Sequence, residues 1–109
     1  MRRPLLYVLN ADNEPEPERD RLAWGLSIDD QRRVVQRDQV GEIVVSTVFT
    51  GIDYAFFGGD PVLWETMLFD ADGKPLGQLR YTSRAEALVG HAEFVARLSG
   101  CAGPSEAGR

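Results

Sequence analysis

The chain has 109 residues, a formal net charge of −5 and 43% apolar content, enough for one domain with one core and too little for a second. Residues 1–40 carry seven arginines against eight acids, and residues 41–109 carry five basic residues against nine acids. Neither half gathers the cations that a phosphate backbone needs, so nucleic acid is not an expected partner.

In chain order, Pro4–Leu9 reads as a short strand, and its apolar run is too brief for a signal core or a membrane span. Asn10-Ala-Asp-Asn13 follows as a turn, because Asn and Asp bond their own backbone there. The acidic stretch Glu14–Asp20 places Pro17 at a possible helix start, and the spacing predicts a helix over 17–26 that buries Leu22, Ala23 and Leu26. Ser27–Gln31 reads as a loop. Arg32–Val40 and Glu42–Phe49 flank Gly41 as a hairpin, with Arg32, Arg33 and Arg37 on a solvated strand face. In its second arm Ile43, Val45, Thr47 and Phe49 share one face, and Val44, Ser46 and Val48 share the other. Both faces are largely apolar, so the second needs a cover: the N-terminal helix, a twin subunit, or both.

The Phe56-Phe-Gly-Gly-Asp-Pro61 segment reads as a tight turn, followed by strands over Val62–Phe69 and Leu76–Tyr81 joined through Asp70–Pro75. Ser83-Arg-Ala-Glu86 is a capping box that opens a helix. Ala85, Leu88, Ala92, Val95 and Leu98 form its expected buried stripe, and Glu86, Gly90, Glu93 and Arg97 the opposite one, with Glu93 and Arg97 as an i,i+4 ion pair. Gly100 is placed to end it. The only cysteine, Cys101, excludes an internal disulfide and points to a reduced, cytoplasmic setting. Residues 100–109 have little to bury and are expected as a disordered tail behind a domain over 1–99. The fold class is α+β: a mostly antiparallel sheet of four or five strands, a C-terminal helix packed on one face, and a short N-terminal helix.

Four segments taken together, Val45–Asp53, Phe57-Gly-Gly-Asp-Pro61, Leu63–Phe69 and Arg80–His91, resemble a family of small uncharacterised proteins of tailed bacteriophages and prophages. The resemblance covers about residues 40–98 and implies a phage setting, in the host cell cytoplasm, and a sheet with a C-terminal helix. It implies no activity. Such proteins often carry a histidine where this chain has Tyr54, which leaves no second histidine for a metal site.

Candidate chemistry is sparse. His91, the only histidine, leans toward the buried side of its helix and is expected to bond a strand residue. Asp53 and Glu65 bracket the glycine turn and, with His91, are the candidates for acid–base or metal chemistry, although their spacing matches no defined ligand pattern. Glu65 is expected to pair with Arg80 on the neighbouring strand. Gly58-Gly59 lacks the lysine and helix of a phosphate loop, and Asp70-Ala-Asp-Gly73 lacks the distal glutamate of a calcium loop. Tyr54, Phe56, Phe57 and Asp60 stand in a loop where the core has little claim on them, and these are the expected partner-binding residues. The leading expectation is a non-enzymatic, cofactor-free phage accessory protein that binds a host or phage protein and inhibits a bacterial defence system, with a homodimer as a candidate state. The alternative is a small metal-assisted hydrolase using Asp53, Glu65 and His91. A third reading, acidic mimicry of nucleic acid, has only a modest and dispersed charge behind it.

Overall fold

The structure, a computed structural model, describes residues 4–100. The expectations for Cys101 and the tail to Arg109 fall outside the described residues. Strands β1 (Tyr7–Leu9) and β2 (Pro15–Pro17) form a small antiparallel ribbon. Helix α1 (Arg21–Leu26) and two 3-10 turns, Ser27–Asp29 and Gln31–Arg33, lead into β3 (Val34–Val40). Then come β4 (Ile43–Phe49), β5 (Trp64–Phe69), β6 (Pro75–Tyr81) and helix α2 (Arg84–Gly100). The four long strands make an antiparallel meander in the order β3-β4-β5-β6 with α2 laid across it, so the expected α+β architecture is the one observed. No described helix is long and apolar enough to cross a membrane.

Period-two alternation decides which face α2 covers. Val45, Thr47 and Phe49 of β4 are buried, as are Trp64 and Thr66 of β5, and these side chains meet the helix. Tyr7, Phe49, Leu63, Trp64, Tyr81 and Ala87 form the core cluster, with Phe49 and Trp64 edge to face at 5.4 Å between centroids. Each large aromatic there contributes on the order of 2–3 kcal/mol by leaving water. The opposite face carries Val44, Ser46, Val48, Met67 and Phe69, all half-buried.

Several local expectations are corrected. The first helix starts at Arg21 instead of Pro17, because Pro15–Pro17 pairs with β1 and Asp20 is the residue that caps, accepting the amide of Leu22 at 2.9 Å. Leu22 and Leu26, expected inside, are 72% and 73% exposed. With six residues α1 buries little, and its anchor is Trp24, whose Nε1 donates to the Gly51 carbonyl at 3.0 Å. It therefore stands at the end of the sheet, and among the described residues α2 is the only helix packed across it.

Arg32 and Arg33 precede β3 and are not a solvated strand face. Arg32 donates to the carbonyls of Asn10 (2.6 Å) and Leu9 (3.1 Å) and pairs with Asp30, whose carboxyl it holds below the usual carboxylate range. Arg33 donates to the carbonyls of Phe49 and Thr50 and lies 5.9 Å from the Trp24 ring centre. These two guanidiniums tie the N-terminal ribbon and α1 to the sheet.

The buried stripe of α2 is rotated from the expected one. Ala87, Gly90 and His91 are buried and Leu88, Phe94, Val95 and Leu98 half-buried, whereas Ala85 and Ala92 are exposed. Gly90 turns inward because the Tyr81 ring fills the space where its side chain would be. Glu93 and Arg97 flank a shallow groove beside Leu79 without bonding each other. In the capping box Ser83 Oγ accepts the Glu86 amide at 3.1 Å as expected. The returning carboxylate instead takes the Thr82 hydroxyl (2.7 Å) and amide (3.2 Å), one residue earlier than the usual pattern.

Candidate functional site

Residues 50–63 leave the end of β4 and return to β5 as a loop closed by its own backbone. Thr50 donates its amide to the Leu63 carbonyl (2.7 Å) and Tyr54 donates to Val62 (3.1 Å). Asp53 is 3% exposed, and its Oδ1 accepts the amides of Ala55 (2.8 Å) and Val62 (3.0 Å), joining the two sides of the neck. A buried carboxylate with backbone donors is satisfied and holds the loop in place. At the tip Gly58 and Gly59 have φ of +96° and +86°, a region side-chain-bearing residues rarely adopt, and this turn swings the chain back.

What the loop displays is aromatic. Phe57 is fully exposed and Phe56 is 72% exposed, with Asp60 exposed beside them. The Tyr54 ring meets Phe56 edge to face at 6.0 Å, and the Arg80 guanidinium lies over Tyr54 at 4.0 Å from its centre. Arg80 Nε in turn donates to Glu65 Oε2 at 3.0 Å, the ion pair expected between β5 and β6. All four predicted partner-binding residues thus belong to one loop. Tyr54 is half-buried as its support, and Phe56, Phe57 and Asp60 are its free surface.

A second polar constellation lies under α2. The His91 ring is fully buried, with Nδ1 2.7 Å from Thr47 Oγ1 and Nε2 2.7 Å from Asp38 Oδ2, and Thr47 Oγ1 is 2.5 Å from Thr66 Oγ1. A carboxylate only accepts, so Nε2 carries a proton directed at Asp38. In the neutral ring Thr47 donates to Nδ1 and Thr66 donates to Thr47, which leaves every proton of the chain with an acceptor. The His91 bond is the main reason the Asp38 carboxyl sits below the usual range, with Gln36 adding a further bond. Carboxylate, imidazole and hydroxyl in this order resemble a nucleophile relay. Both threonines, however, are fully buried, so no substrate reaches the hydroxyl end. The relay joins β3, β4, β5 and α2 and fixes the helix on the sheet.

The hydrolase trio does not assemble. Asp53 serves the loop neck, Glu65 serves Arg80, and His91 serves Asp38 and Thr47. Glu65 alternates with Trp64 and Thr66 along β5, which puts it on the sheet face opposite His91. Among the described residues no group of three His, Cys, Asp or Glu side chains is placed to hold a metal ion. Sequence reasoning missed Asp38 and Thr47 as the partners of His91, and Thr66 as the partner of Thr47. The available signal was a pair of threonines on otherwise apolar core faces, each lacking an apolar reason to be there. No family model matches the chain, and no curated protein or solved structure matches it.

Proposed function

We propose that this chain is a non-enzymatic binding domain that engages a host or phage protein through the loop residues Tyr54, Phe56, Phe57 and Asp60. In this reading it is a phage accessory protein acting in the host cytoplasm, and its binding inhibits a bacterial defence system. The supporting observation is the exposure of Phe56 and Phe57 on a loop whose neck is closed by the buried Asp53 carboxylate. Leaving two phenylalanines in water sacrifices on the order of 2 kcal/mol of burial each, a cost that a partner's pocket would recover. A preorganised loop also loses little freedom on binding, and aromatic anchors ringed by polar groups are the usual centre of an interface. The phage setting rests on the sequence resemblance alone. Co-purification of the tagged chain from host cells tests the reading. One partner is expected to be retained by the wild type and by Leu22→Ala, an exposed residue outside the loop, and lost from Phe56→Ala/Phe57→Ala. Equal retention by all three would count against it.

A further inference from the structure

The sheet has two edges, and they differ. Strand β3 carries Arg37 and Asp38 and is interrupted by a bulge between Val34 and Gln36, devices that discourage pairing with another chain. Strand β6 is exposed along its length up to Tyr81, and no described strand pairs its outer side. Its irregularity and its proline are confined to the start, at Pro75 and Leu76, and its one charged side chain, Arg80, is tied back to Glu65 and Tyr54, while Leu79 stands 51% exposed and Gly77 has open space where a side chain would be.

The charges at the two ends of this edge are of opposite order. Asp72 and Lys74 precede the strand, Arg84 and Glu86 follow it, and among the described residues neither the Asp72 carboxylate nor the Arg84 guanidinium has a bonding partner. We propose that β6 is the interface of a two-fold dimer, in which it pairs antiparallel with β6 of a second copy about Gln78. That register sets Leu79 opposite Gly77 of the second copy, so the exposed leucine fills the space the glycine leaves. It brings Asp72 to the end that carries Arg84 of the second copy and Lys74 to the end that carries Glu86, and the symmetry repeats both pairings. Slipping the strands apart in either direction uncouples the charges and the Leu79–Gly77 fit together. The meander becomes a continuous eight-stranded sheet with no open β6 edge. This interface touches the aromatic loop only through Arg80 of β6, which lies over Tyr54, and does not depend on the function assigned to that loop.

Sedimentation velocity on the full chain tests the proposal. The wild type is expected to be dimeric at micromolar concentration. Asp72→Lys or Arg84→Glu alone turns both symmetry-related attractions into repulsions and raises the dimer dissociation constant about tenfold. An equimolar mixture of the two variants restores dimerisation, because each new lysine then faces a new glutamate while the native pair survives at the other end. Circular dichroism checks that each variant is folded. A second measurement does not depend on charge: Gln78→Cys in a Cys101→Ser background is expected to cross-link to its twin under mild oxidation, and Gln39→Cys on the β3 edge is not. A wild type that stays monomeric overturns the proposal and leaves β6 open to a strand from another protein. A dimer indifferent to the charge changes, or one that Gln78→Cys fails to cross-link, overturns it as well.

Discussion

Replacing a helix-interior glycine by alanine normally stabilises a protein by about 1 kcal/mol, since glycine gives up the most backbone freedom on folding. Gly90→Ala is predicted to do the reverse. A Cβ built at this position lies 2.5 Å from Tyr81 Cζ and 2.6 Å from Cε1, well inside contact distance, and also overlaps the hydroxyl. Tyr81 belongs to the core cluster and is only 9% exposed, so its ring has nowhere to retreat. Overpacking of this kind costs about 1–3 kcal/mol, and here the repacking falls at the upper end. Subtracting the propensity gain leaves a net loss of about 1–2 kcal/mol, a fall in Tm on the order of 5–10 °C for a domain of this size. Urea unfolding followed by circular dichroism measures it. Gly25→Ala in α1, where nothing lies within 4 Å of the new methyl, is the control and should gain about 0.5–1 kcal/mol. Shrinking the ring should relieve the overlap, so Gly90→Ala/Tyr81→Leu is predicted to be more stable than the two single effects sum to. A Gly90→Ala protein as stable as the wild type would refute the close approach of β6 and α2 on which the helix position depends.

His91→Leu removes the acceptor of the Thr47 hydroxyl and the donor to Asp38 in a buried site, and a loss of about 2–3 kcal/mol in urea unfolding is predicted. Adding Thr47→Val and Thr66→Val should recover part of that loss, because an apolar interface has no orphaned hydroxyls. The Asp38 carboxyl has a lower pKa folded than unfolded, so its contribution is complete above the ordinary aspartate value of about 3.9 and is lost as pH falls through the lower folded value. Stability measured from pH 5 down to pH 2 should therefore fall less steeply for Asp38→Asn than for the wild type.

How far the sequence could be read follows from what is local in it. The four-stranded meander was legible because alternation over Ile43–Phe49, the Gly41 turn and the Asp70–Pro75 turn each act between neighbours in the chain. The Glu65–Arg80 pair was legible for the same reason, as a cross-strand neighbour in register. The partners of His91 were not: Asp38 lies 53 residues away and Thr47 lies 44, and only the packed fold decides that both face one ring. The rotation of α2 follows from a single glycine. Gly90 looks like a weak polar-side position until Tyr81 needs its space, and the stripe that is buried then runs through Ala87 and His91. Leu22 and Leu26 looked like core residues by spacing. A six-residue helix anchored by one tryptophan has too little surface in contact to bury them. The loop neck depends on Asp53 taking amides on both sides of the turn, a bond between residues 53 and 62 that no short-range pattern specifies.

The claim that two exposed phenylalanines on a preset loop are the contact surface is tested most directly by titration calorimetry with the co-purified partner. The account predicts that Phe56→Ala/Phe57→Ala weakens binding by at least about 2 kcal/mol, roughly thirtyfold in Kd, with no change in the urea midpoint, since both rings already stand in water. An unchanged Kd in a folded double variant would contradict it.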